Sequence, residues 1–145
     1  MAILVDTGVL YALADADDEW HDLVAAFVGT AREALIVPVT VIPEVTYLVH
    51  DRLGARAEQL VVESLAEGEL TVEGLRAADL TRALEVLREY EAIGFVDASI
   101  VAMAERLRIV TLATTDRRHF TVVRPQHVSA FSLVPELPKR KRRST

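Results

Sequence analysis

Three short runs constrain this chain more than any other feature. AILVD (2–6), ALIVP (34–38) and IVTLAT (109–114) are mainly apolar along their whole length and carry no charge except the Asp6 that closes the first. A strand with one wet face alternates apolar and polar residues, whereas a strand that is apolar throughout needs cover on both faces. Between these runs lie stretches whose apolar residues recur at helical spacing. Strands apolar on both sides and separated by helices imply a parallel sheet between two helical layers.

The intervening segments fill in that scheme. TGVLYALAD reads as a helix entered directly from the first strand. In DEWHDLVAAFVGTARE (18–33), Trp20, Leu23, Val24, Phe27 and Val28 share one helical face. VIPEVTYLVHDRLG (41–54) has Pro43 in its first turn and Gly54 at its end, the usual order for a helix. A helix over 55–67 and a short strand near 69–72 follow. The segment 77–94 is amphipathic with Asp79 as its expected N-cap, and 96–108 is a second helix with Ile100, Val101 and Ala104 facing inward. RRHF (117–120) opens something short, and FSLVP (131–135) reads as an edge strand. The prediction is an α/β fold, a three-layer α/β/α domain over 1–137 with a mostly parallel central sheet of four or five strands.

Composition narrows the function classes. At 145 residues and 51% hydrophobic, with mean hydropathy +0.25, the chain suits one domain with a real core and not a disordered polymer. It has no cysteine, so thiolate chemistry and disulfides are excluded. The apolar runs are too short to cross a bilayer, and the expectation is a soluble cytoplasmic protein. The formal charge is −6, but five of the sixteen basic residues sit in PKRKRRST (138–145), read as a disordered basic tail. The rest sets eleven basic residues against twenty-two acidic ones, a formal −11. Such a body repels phosphates unless cations intervene.

The placement of a few carboxylates then stands out. Asp6 is the only charge among the first fourteen residues, Glu44 the only one from Leu35 to Val49, and Asp97 the only one from Ala92 to Ala104. Asp116 directly closes the uncharged run from Ile109 to Thr115. Each alone has a bland reading, as a helix cap or a first-turn acid favoured by the helix dipole. Yet Asp6 and Asp116 end predicted strands, Glu44 follows one, and Asp97 begins a helix, and parallel sheets gather their ligands beyond the carboxyl ends of strands. Four carboxylates meeting there repel one another unless a hard divalent cation, Mg²⁺ or Mn²⁺, sits among them. The conjunction favours a metal site.

The segments ILVDTGVLYAL, VTVIPEVTYLV, IGFVDASIVAMAERL and TLATTDRRHF resemble the motifs of PIN-domain ribonucleases, in particular VapC-type toxins of prokaryotic toxin–antitoxin pairs. The likeness runs from about residue 3 to FSLVP, and the acidic quartet of that family falls on Asp6, Glu44, Asp97 and Asp116. The resemblance implies a PIN-like fold and a Mg²⁺- or Mn²⁺-dependent endoribonuclease acting on tRNA or a ribosomal RNA loop. It further implies a homodimer restrained by a cognate antitoxin, which lies in a hydrophobic groove and reaches toward the acidic site with a basic side chain. Thr7 and Thr115 match hydroxyl positions beside the first and last acids. Asp6 and Asp97 are then the expected direct metal ligands, with Glu44 and Asp116 as further ligands or water-orienting groups. Arg117 and Arg118, adjacent to Asp116, are candidates for gripping phosphates. The apolar faces of TVIPEVTYLV and Trp20–Val28 are the expected exposed interaction patches.

Rival chemistries fail on residues. A metal-free ribonuclease would pair histidines with a lysine, but His21, His50, His119 and His127 share no pattern and both lysines lie in the tail. His119 reads as a packing or capping residue. A haloacid-dehalogenase-type phosphotransferase needs a second Asp two places after Asp6, where Gly8 stands, and a receiver domain needs an acidic pair and a late strand-end lysine. Gly-rich nucleotide loops are absent from the sequence. The non-enzymatic alternative is a catalytically idle PIN-like module that binds RNA or protein.

Overall fold

The computed structural model describes residues 1–137, so the predicted basic tail (138–145) lies outside the described residues. The elements run β1 (Ala2–Val5), α1 (Thr7–Ala14), α2 (His21–Thr30), β2 (Ala34–Pro38), α3 (Ile42–Leu53), α4 (Ala55–Ala66), β3 (Thr71–Glu73), α5 (Ala77–Glu89), α6 (Phe95–Leu107), β4 (Thr111–Ala113), α7 (Arg117–Val122) and β5 (Ser132–Val134). The five strands form one sheet in the order β3-β2-β1-β4-β5, every pair parallel. The three-layer α/β/α expectation holds, with five strands.

Topology decides where a site can form. The chain steps outward from β1 to β2 and β3, then returns across the sheet to β4 and β5. Parallel crossovers are right-handed, so reversing direction also changes the face on which the connecting helices lie. The packing agrees: α1 packs against α2 and α3, and α3 against α4, while α5 packs against α6. The loops leaving β1 and β4 therefore diverge to opposite faces and leave a crevice between the two strands at their carboxyl ends. The register brings those ends level, with Val5 opposite Ala113.

Burial follows from the unbroken apolar strands. Ile3, Leu4 and Val5 are all buried, with no alternation, as are Leu112 and Ala113 of β4. Helix α6 is deeply enclosed, with every residue from Ala98 to Ala104 buried. Burying one Ile, Val or Met side chain contributes about 1.5–3 kcal/mol, so α6 is held firmly and the first-turn residue Asp97 inherits that rigidity.

Several local expectations are corrected. The helix predicted over 18–33 begins only at His21, because the Asp15 and Asp18 carboxylates capture the backbone N–H groups of Asp17 and Trp20 in tight turns. Asp79 is not the N-cap of α5 but its third residue, where its carboxylate accepts the Arg76 N–H at 2.9 Å and binds Arg106. The helix predicted over 77–94 stops at Glu89. The two expected surface patches are mostly covered: Val24, Val41, Val45 and Val49 are fully buried, and Trp20, Phe27 and Val28 pack against the core. Tyr47 of the first patch does stay exposed, and further exposed apolar surface lies at Leu60 and Val62 of α4, at Leu80 and Leu84 of α5, and at Phe95. Among the described residues no helix is long and apolar enough to cross a membrane.

Candidate functional site

Asp6 is the first residue beyond β1, and its backbone N–H donates to the Ala113 carbonyl at 2.9 Å, which ties it to the end of β4. One carboxylate oxygen accepts from the Thr7 N–H at 2.7 Å and the other from the Thr114 hydroxyl at 2.9 Å. Asp6 thus caps α1, as the bland reading held, yet it is only 6% exposed and has no cationic partner among the described residues. Burial, with added repulsion from Asp97 and Glu44, pushes its pKa up to about 6 against the pull of the two hydrogen bonds. A cap needs no such arrangement; an exposed serine would serve.

Asp97 enters from the opposite face on the first turn of α6. Burial raises its pKa, opposed by a 3.0 Å hydrogen bond from His119 Nδ1 and reinforced by the charges of Asp116 and Glu44. Asp116 is placed by Thr114, whose hydroxyl accepts the Asp116 N–H at 3.0 Å. Thr114 has a single hydroxyl proton and gives it to the charged Asp6 oxygen, so one buried side chain couples the first acid to the loop carrying the last. Glu44 stands exposed on the first turn of α3, at the rim.

These elements enclose a cleft of about 500 Å³ lined by Asp6, Thr7, Glu44, Asp97, Thr115 and Asp116, together with Gly8 and His119. Gly8 is required by close approach: a Cβ there would overlap Thr115 Oγ1 and lie 3.3 Å from Thr115 Cβ. Thr114, which the sequence did not single out, holds Asp6 by its hydroxyl, while Thr115 lines the cleft beside Gly8. The two arginines do not line the cleft. The Arg117 guanidinium reaches the carbonyls of Leu133 and Pro135 and lies 5.7 Å from the Trp20 ring, tying α7 to the sheet edge. Arg118 is exposed and is not among the residues lining the cleft.

Sequence reasoning missed His119. Its Nδ1 lies 3.0 Å from Asp97 Oδ2 and 2.9 Å from Asp116 Oδ2, between the two carboxylates. The available signal was its position three residues after Asp116 in a helical segment, which puts both side chains on one face.

Whether the residues suit a cation is answered by two features. The donors are carboxylate oxygens, which suit Mg²⁺ or Mn²⁺, with one imidazole beside them and none of the sulfur ligands that soft metals take. Among the described residues the Thr7 hydroxyl, buried at the cleft wall, has no hydrogen-bond partner, a condition that calls for a ligand. Asp97, Asp116 and His119 offer ligand atoms that all fall within 4.8 Å of one another.

Residues 3–124 match the PIN domain family. Ribonuclease VapC26 of Mycobacterium tuberculosis is 35% identical over 135 residues, covering 92% of this chain and all of that protein. Among solved structures, VapC20 of Mycobacterium tuberculosis, described as a Sarcin-Ricin loop cleaving toxin, superposes with a TM-score of 0.72 at 24% identity over 76% of this chain and 86% of that one. A toxin–antitoxin complex from Klebsiella pneumoniae gives 0.68 at 17% identity over 92% and 96%.

Proposed function

The chain belongs to the PIN domain family as a VapC-type ribonuclease, and from that premise we propose that Asp6, Glu44, Asp97 and Asp116 are the carboxylates with which it hydrolyses RNA. One observation carries the assignment. Four acids far apart in sequence, on two faces of the sheet, line one cleft at the reversal of strand order, and two of them are held above their usual pKa. Clustered charge that the fold itself leaves uncompensated is characteristic of a functional site.

Asp6, Asp97 and Asp116 would hold the cation, Mg²⁺ or Mn²⁺, with Glu44 on the rim as a further ligand or a water-orienting acceptor. When bound, the cation supplies a more acidic water and offsets the charge that grows on the phosphoryl and leaving oxygens. Thr114 keeps the Asp6 carboxylate aimed into the cleft by its hydroxyl bond. The Thr7 hydroxyl, lacking a protein partner among the described residues, donates to a phosphate oxygen or an ordered water. Thr115 lines the same cleft beside Gly8. Because the described residues carry a formal −11, approach of RNA depends on the cation, and the substrate is a loop of tRNA or rRNA whose unpaired bases splay open.

The same reading supplies partners. The groove between α1 and α4, lined by Leu10, Leu13, Leu60, Val61, Leu65 and Leu70 with a volume of about 320 Å³, suits an apolar helix of a cognate antitoxin. The exposed Leu80 and Leu84, one turn apart on α5, suit a two-fold contact between copies. Static light scattering at tens of micromolar checks the dimer, and a strict monomer refutes it.

The decisive assay uses purified chain free of antitoxin and a structured RNA. Cutting is expected at one or a few loop positions, with 5′-phosphate and 3′-hydroxyl ends, and is abolished by EDTA, by Asp6→Ala and by Asp97→Ala. A 2′,3′-cyclic phosphate would show attack by the ribose hydroxyl and end the hydrolytic mechanism. Cutting that survives in both variants would leave the idle binding module as the better reading.

A further inference from the structure

The quartet leaves one nitrogen unexplained. His119 Nδ1 stands 2.9 Å from Asp116 Oδ2 and 3.0 Å from Asp97 Oδ2, so one nitrogen faces two carboxylates while making its hydrogen bond to Asp97. A surface histidine pairing with one acid needs no second. We propose that His119 is itself a metal ligand through Nδ1, forming with Asp97 and Asp116 a mixed nitrogen–oxygen position that favours Mn²⁺ over Mg²⁺. The inference rests on the metal-dependent reading of the cleft and deepens it.

The separations support direct ligation. In an octahedral sphere with bonds of about 2.1 Å, neighbouring ligand atoms lie about 3.0 Å apart. Both Nδ1–carboxylate separations meet that spacing without movement of the backbone. The tautomer with its proton on Nε2 presents the Nδ1 lone pair to the space beside the two acids. The ring is also held in place. Its chain neighbour Phe120 is 2% exposed and packs edge-on against Phe131 at 6.4 Å, and the start of α7 is pinned by the Thr114 bond to the Asp116 N–H. Thr7, whose buried hydroxyl has no partner among the described residues, lines the same cleft and points independently to an occupant. Mg²⁺ prefers an all-oxygen sphere and sheds water reluctantly, whereas an imidazole nitrogen is accepted far more readily by a transition-metal ion.

The test uses the full chain, stripped with EDTA and titrated with Mn²⁺. Pulsed electron paramagnetic resonance of the Mn²⁺-loaded wild type is expected to show the ¹⁴N coupling of a directly bound imidazole. His119→Asn, which offers an amide oxygen at the same reach, is expected to lose that coupling and to lower the Mn²⁺-over-Mg²⁺ affinity ratio about tenfold or more. Asp97→Asn weakens both metals alike. Tight, Asp97-dependent Mn²⁺ binding without a ¹⁴N coupling overturns the ligand role of His119 while the metal-nuclease reading stands. Failure of Mn²⁺ to bind the wild type overturns both. The wild-type spectrum decides the matter even if the variant folds poorly.

Discussion

Replacing Asp6 by Asn should stabilise the metal-free protein, although it removes a helix cap's charge. Asp6 is 6% exposed, and its pKa rises from 3.8 to about 6, with burial the leading cause. The protonated form is therefore the one the fold prefers. Its stability is fully present below pH 4 and is lost as pH rises through 6, because between those values the folded chain binds more protons than the unfolded one. A shift of two units at about 1.36 kcal/mol each sets a ceiling near ~3 kcal/mol. Asn keeps the geometry: the Thr114 hydroxyl can swing to the Asp116 carbonyl 3.1 Å away and accept from the new amide N–H. Exchanging charge-assisted for neutral hydrogen bonds returns about 1 kcal/mol, which leaves a gain of roughly 2 kcal/mol. For a chain of this size that is about 4–8 °C in Tm. Thermal unfolding in EDTA should show the variant ahead at pH 7.5 and the gap closing by pH 4.5. In Mn²⁺ at about a hundred times its Kd, wild type should recover roughly 2.7 kcal/mol and the order should reverse. A variant less stable than wild type in EDTA at pH 7.5, or a gap indifferent to pH, would show that Asp6 is an ordinary cap and would refute the argument.

Other residues give independent checks. Gly8→Ala drives a Cβ into Thr115 and should lower RNA cleavage at least about tenfold, whereas Gly29→Ala, with open space around it, should add about 0.5–1 kcal/mol of stability and leave cleavage unchanged. Arg106→Met should cost about 3–5 kcal/mol in urea unfolding, because Asp79, 2% exposed, is held below its usual pKa despite burial by its Arg106 hydrogen bonds. Arg117→Ala should lower Tm by an amount equivalent to about 1–2 kcal/mol, measured by calorimetry, and leave RNA affinity nearly untouched, since its guanidinium is bound to carbonyls and stacked near Trp20.

The sequence by itself determined the layers, the parallel sheet and the four acids. Unbroken apolar strands admit little else, and an isolated carboxylate in an apolar run is conspicuous because burying it is costly. Boundaries were less legible: ALIVP matched β2 to the residue, but the start of α2 was displaced by Asp15 and Asp18, whose side chains compete locally for backbone N–H groups. Tertiary structure alone decided which polar atoms meet. Asp6 and Thr114 are 108 positions apart, and nothing in the TTD triplet tells which threonine turns inward. His119 looked like packing until α6 brought Asp97 beside it, and Arg117 looked free until β5 and Trp20 closed around it. Periodicity is a property of one element and reports which face is buried. A site is made where elements from both faces of the sheet converge, and that convergence is fixed by strand order, which side-chain spacing along the chain does not encode.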